Sequence, residues 1–453
     1  MSHFEIELTN DLISSNSGLL ALGTFLLQAD FDNRLRKIER TSSDLQIKDS
    51  EILRSYLGLL CLGKTSYESI DDYMDDDYFK AAIGVERLPS KESLRQRLEI
   101  LSENKLVVSF IKEISLGLIH KYGKYETVLE TDMIPVDFDV TPMDNSKSQK
   151  QGNSRTYKGH DGFAPMMVYI GGEGYMLNNE FREGKAHSNC QGTGELITES
   201  IGFAQGLTDK TLLARFDSGN DSAENVVRLS LADNTHYIVK KNFRRENLDA
   251  YIHEVKTSPS STEQPRKGKE IYYATKEVSL SYKDTDKQEH RNDSRLVLKV
   301  TERTIDKRGQ YLLIPEQEIE GWYTDLSVED YSDEDIVTLY ADHGTSEQFH
   351  SEFKTDMDME RLPSGKFECN SFIMLLGMTA FNVLRIIGQE SLRTGLIKRK
   401  RAVKRIRIRK VLQDIMYMAC HFMIKFKRRT IQIAAHCAYA LPFMRMYERI
   451  KFA

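Results

Sequence analysis

The chain has 453 residues, 40% of them hydrophobic and 29% charged, which allows about two to four domains and at least one sizeable core. Its net charge of −5 hides a division: from Ser391 onward 17 Lys or Arg face two acids, leaving about −20 on the rest. Such a split suits one surface for a polyanion and another for cations. Five cysteines (Cys61, Cys190, Cys369, Cys420, Cys437) without a C-x-x-C argue against a disulfide framework or a zinc ribbon and suit a reducing cytoplasm.

Residues 1–125 are expected to form a helical region for DNA binding or dimerisation. Its start, with Glu5 and Glu7 and no basic run, predicts no secretory leader. Leu19 to Phe31, Ser50 to Leu62, Leu94 to Leu101 and Val107 to Tyr122 place apolar residues at three and four spacing. The texture changes near Val128. Ile134 to Thr141, Ala164 to Ile170 and Tyr175 to Phe181 read as strands, the last two joined by the glycine turn 171–174. Gly194 to Ala204 is helical, Thr211 to Asp217 is an apolar strand ending in an acid, Ser222 to Ala232 is helical, and Tyr237 to Lys241 is a short strand. Three strands, helix, strand, helix, strand is the order of a ribonuclease-H-like α/β core, here residues 126–243 and 338–390. Residues 244–337 read as an inserted β-rich domain, with Thr257 to Lys269 as a mobile loop. The apolar run Phe372 to Ile387, interrupted by Asn382 and Arg385, is too short to span a bilayer and predicts a buried helix, so no membrane partner is expected. Residues 391–453 are expected to be a basic helical tail.

Three acids stand out. Asp137 and Asp139 sit in an otherwise apolar strand, where Asp is disfavoured; two apart, they share one face, and periodicity leaves both open as ligands. Asp217 ends an apolar strand, where α/β folds gather ligands, although a turn or cap aspartate is the structural alternative. The third is Glu347, in the spacing Y-x2-H-x3-E-x6-K formed by Tyr340, His343, Glu347 and Lys354. On an α-helix of about 3.6 residues per turn Glu347 and Lys354 share a face, with His350 between them. In the tail, Lys398, Arg399, Lys400, Arg401, Lys404, Arg405, Arg407, Arg409 and Lys410 would put positive charge on more than one helical face, suiting a DNA backbone. Trp322 reads as core rather than as a base-stacking residue.

The 340–354 segment resembles the Y-R-E-K signature of insertion-sequence DDE transposases, departing from it at His343. Asp139-Val140-Thr141 is similar to that family's D-x-T, Arg215 to Gly219 to its R-x-D-S-G, and Arg361 to Ser364 with Asn370 to a downstream R-L-P-S…N. The resemblance covers roughly Val128 to Gly388. It implies a ribonuclease-H-like fold and a catalytic triad of Asp139, Asp217 and Glu347 holding two Mg²⁺ or Mn²⁺ ions, with Asp137 as a further candidate ligand. It further implies DNA contacts from Tyr340, His343 and Lys354, and recognition, cleavage and strand transfer of element ends into target DNA. A homodimer or larger synaptic complex follows, because two ends must meet. A DNA-binding derivative without catalysis and a nuclease without strand transfer are the alternatives.

Overall fold

The structure is a computed structural model that describes residues 8–38, 46–244, 246–398, 403–426 and 428–452. They form two compact units: residues 124–141 with 164–348, and residues 1–123 with 142–163 and 349–453.

The first unit is built on one nine-stranded sheet. Its strands are β1 (Ile134–Val140), β2 (Met166–Ile170), β3 (Tyr175–Glu180), β4 (Leu212–Phe216), β5 (Thr235–Lys240), β6 (Ser261–Arg266), β7 (Lys269–Lys283), β8 (Glu289–Ile305) and β9 (Tyr311–Thr324). Their spatial order is β6-β7-β8-β9-β5-β4-β1-β2-β3. The half β3-β2-β1-β4-β5 runs antiparallel across β3-β2-β1 and parallel across β1-β4-β5, the ribonuclease-H-like arrangement expected from the element order. All five residues of β4 are buried, and six of the seven in β1, because central parallel strands are covered on both faces. Parallel pairing needs crossovers, supplied by α1 (Thr193–Leu207) and by α2 (Ala223–Ser230), whose Ser222 cap accepts from Asn225 N. The β2–β3 turn needs left-handed backbone at Gly171 and Gly174 (φ 77° and 71°), which glycine adopts without a Cβ clash.

Residues 244–337 do not form a separate domain. β9 pairs with β5 through Trp322↔Lys240, Tyr323↔Val239 and Thr324↔Ile238, so the insertion extends the same sheet and covers an edge of β5 that would otherwise be unpaired. The stretch expected as a mobile loop contains β6, hydrogen-bonded to β7, and is preceded by α3 (Leu248–Thr257), whose Ile252 and Val255 are buried. Helix α4 (Asp333–Ala341) starts in a Ser332–Asp335 capping box. Its Ile336 and Leu339 share a buried cluster with Leu213, Ile238, Val297 and Trp322, so Trp322 is a core residue.

The second unit is helical around a 27-residue helix, Phe367–Arg393, longer than the apolar run alone suggested. By length and composition it could cross a membrane, but 94% of its most apolar window is buried inside the protein. Two of its buried polar side chains find partners within the unit: Asn382 Nδ2 donates to Ser115 Oγ, and Arg385 Nη2 to Glu352 Oε2 at 2.9 Å.

The tail is only partly helical. Cys420–Lys425 and Arg428–Ile433 form a hairpin paired to Ile13–Ser14, and Ala440–Phe452 is a helix. Nor is all of its charge free. Arg405 pairs with Glu352, Arg407 and Arg409 with Asp356, Lys410 with Asp414, and Arg449 with Glu390. Four of these five cations face acids distant in sequence, which a count of neighbouring acids does not see.

Glu352, with a side chain 2% exposed, holds this junction: it accepts from Arg385, Arg405 and Ile408 N. Glu352→Ala should strand a wholly buried Arg385 charge and cost about 3–5 kcal/mol, read as a lower urea midpoint. An unchanged midpoint would contradict this role.

Candidate active site

The site starts from strand register. In the parallel pair β1–β4, Asp137 is opposite Arg215 and Phe138 opposite Phe216. The two phenylalanines stack at 4.3 Å and are fully buried. Because side chains alternate, the register that makes Asp137 and Arg215 neighbours on one face brings Asp139 and Asp217 together one step further, at the C-terminal ends of the strands. Both are half-buried. Burial and the nearby Asp217 charge push the Asp139 carboxyl up to about 7, against a smaller opposing effect of His343. Two carboxylates gathered in this way repel one another unless a proton or cation intervenes.

Asp217 is held from below. Asn220 Nδ2 donates to its Oδ1 at 2.6 Å, and Asn220 O accepts from Asn225 Nδ2. Asn220 is fully buried. Sequence reasoning did not single it out; the signal was a polar side chain in the turn directly after Asp217.

Asp137 has a different role from the one expected of a metal ligand. Arg215 Nε and Nη2 donate to its two carboxylate oxygens at 2.6 and 2.8 Å, and His343 Nδ1 lies 3.0 Å from Oδ1. Burial alone would raise the Asp137 carboxyl; the charges of Arg215 and His343 outweigh it and hold the group down at about 2. An ionised carboxylate only accepts, so His343 carries its proton on Nδ1. The remaining Arg215 nitrogen, Nη1, donates to Leu339 O at 2.8 Å and to Asp342 Oδ2 at 3.1 Å. With both its oxygens engaged, Asp137 is an internal anchor. His343, 6% exposed, is likewise turned inward.

Tyr340 is half-buried beside Trp322 (ring centroids 5.8 Å) and His343 (5.6 Å), with Lys240 Nζ 5.8 Å from its ring. Burial, then the charges of Asp217 and Asp139, raise its hydroxyl pKa, which puts the phenol close to both acids.

The remaining expected residues are dispersed. Glu347 is exposed, in the first turn of α5 (Ser346–Ser351). Lys354 belongs to the other unit, where its Nζ donates to Pro142 O at 2.8 Å. From Glu352 to Asp356 the helix is a π-helix, and its wider turn shifts the phase on which the shared face of Glu347 and Lys354 was argued. Among the described residues no group of three His, Cys, Asp or Glu could hold a metal ion. Asp139 and Asp217 are close enough for their charges to interact, and Glu347 is not grouped with them. Lys398 is exposed, Arg405 is engaged with Glu352, and Arg399, Lys400 and Arg401 lie outside the described residues.

Arg215 ties two strands and α4 together, so replacing it with Met should leave Asp137 with His343 alone. The expected cost is about 3–5 kcal/mol in urea denaturation; a change under about 1 kcal/mol would remove Arg215 from this anchoring role.

Comparison with known proteins follows from this geometry. No curated protein sequence matches the chain. Among solved structures, a cryo-EM structure of the piggyBac transposase synaptic complex with hairpin DNA is similar at 12% sequence identity, covering 89% of this chain and 80% of that one with a TM-score of 0.41. The model of the family described as transposase DDE domain group 1 matches residues 2–453. The chain therefore belongs, along essentially its whole length, to the DDE transposases of that group.

Proposed function

We propose that this transposase binds the terminal inverted repeats of its insertion sequence, cleaves the DNA there and joins the freed ends to target DNA, as a dimer or larger synaptic complex in the bacterial cytoplasm. Asp139, Asp217 and Glu347 are the proposed metal ligands. The observation that carries the reading is the pairing of Asp139 with Asp217 at adjacent strand ends, with the Asp139 carboxyl raised to about 7 by burial and by its neighbour.

The donor set fits a hard divalent cation, which prefers carboxylate oxygens and would relieve the repulsion between the two aspartates. Two Mg²⁺ or Mn²⁺ ions, when bound, would supply positive charge at the attacking and leaving oxygens of a phosphodiester. The chain's own residues do the holding. Arg215, Asp137 and His343 fix the strands that carry the two acids, and Asn220 orients Asp217. Tyr340 presents a phenol beside them for a DNA phosphate. Glu347 is the third donor and must approach when DNA and metal bind. Lys354, as a point charge, is a proposed phosphate contact.

Replacing Asp139, Asp217 or Glu347 with Ala should lower Mg²⁺-dependent nicking of element-end DNA by at least about a thousandfold, equivalent to ~4 kcal/mol of transition-state stabilisation. DNA affinity should be retained, as checked by gel shift. A variant that still nicks takes its residue out of the triad. The exposure of Glu347 favours one second reading, a DNA-binding derivative without catalysis; absence of metal-dependent nicking by the unmodified protein, with DNA binding intact, would select it.

A further inference from the structure

The C-terminal hairpin of the helical unit ends in an unusual turn. Lys425 is paired with Arg428, which closes the hairpin in a tight turn at Phe426. Such turns favour Asn-Gly or Gly, because left-handed backbone there costs a bulky side chain. Phe426 instead adopts φ 48°, and its side chain is fully exposed, at 102%. A large aromatic is thus held in strained backbone with no packing in return, the kind of local conflict that marks functional positions.

The charge around it is equally distinctive. Lys425, Arg428 and Arg429 are all exposed, and none has an ion pair among the described residues. The hairpin's one ion pair among those residues, His421 with Asp11 at 4.0 Å, sits at its base. Arg405, Arg407, Arg409 and Lys410, by contrast, are neutralised by Glu352, Asp356 and Asp414. Among the described residues, the hairpin tip is therefore a cationic surface left open, and it lies outside the run that sequence alone favoured.

We infer that this tip contacts duplex DNA: Lys425, Arg428 and Arg429 bind backbone phosphates, and Phe426 is an apolar wedge against a base step. A β-ribbon fits a DNA groove, and groove-binding proteins use single apolar side chains to unstack a step while Arg and Lys grip the flanking phosphates. One aromatic among three cations suits that chemistry better than an interface with another protein, which buries a continuous apolar core. The inference rests on the transposase reading for the identity of the polyanion.

The test uses the full chain and a 30-base-pair mixed-sequence duplex carrying 2-aminopurine. Changing Lys425, Arg428 and Arg429 together to Ala should weaken binding at least about tenfold at 0.1 M salt and reduce the slope of log Kd against log salt by about 2–3, near 0.9 per phosphate lost. Phe426→Asn, which tolerates left-handed backbone, should keep the slope and a Tm equal to or above the parent's, yet abolish the 2-aminopurine fluorescence rise. If the triple variant binds with the parent's affinity and slope, the tip is not a DNA contact, while the transposase reading stands on its nicking assay. If the rise persists in Phe426→Asn, or is missing in the parent, the wedge is overturned. If the parent binds no duplex at all, both readings fall.

Discussion

One buried ion pair organises the candidate active site. Asp137 and Arg215 are opposite each other across the parallel pair β1–β4, each almost fully buried, with the guanidinium spending its remaining donor on Leu339 O and Asp342. Burying two charges is costly, and a well-packed apolar pair would be no less stable. What the pair adds is specificity. A shift of β1 against β4 by one residue would leave both charges unpaired in the core, so the register is fixed, and that register sets Asp139 beside Asp217.

His343 completes the arrangement. In the family signature this position is usually Arg, and a second guanidinium here would add a full charge beside Arg215. An imidazole donating Nδ1–H to Asp137 keeps the hydrogen bond. The departure is thus accommodated inside the fold. Tyr340 and Asn220 then frame the two aspartates from α4 and from the turn after β4.

The helical unit follows a parallel logic with the opposite charge. Glu352 is surrounded by Arg385, Arg405 and the Ile408 amide, and Asp356 by Arg407 and Arg409. Within the basic run, Arg405, Arg407, Arg409 and Lys410 are spent on internal structure. The cations left open at the hairpin tip are fewer, and they surround an exposed, strained aromatic.

The order of strands and helices from Ile134 to Lys241 was written in the sequence, because alternation, helical spacing and glycine turns are local signals. Asp139, Asp217 and Glu347 could also be singled out there, as an expectation carried by their setting and by the resemblance to the transposase signature; folding brings the charges of the first two close together. Three things needed the tertiary structure. The choice between Asp137 and Asp139 depended on what lies across the sheet, since both share a face and only the partner strand supplies Arg215 to one of them. The β-rich insertion proved to be part of the core sheet because strand pairing between β9 and β5 joins residues some eighty positions apart, beyond any local pattern. The fate of the basic run was decided by acids that neighbour it only after folding. Local periodicity fixes elements; which charges are cancelled and which remain open is settled by long-range packing, to which a linear reading is blind.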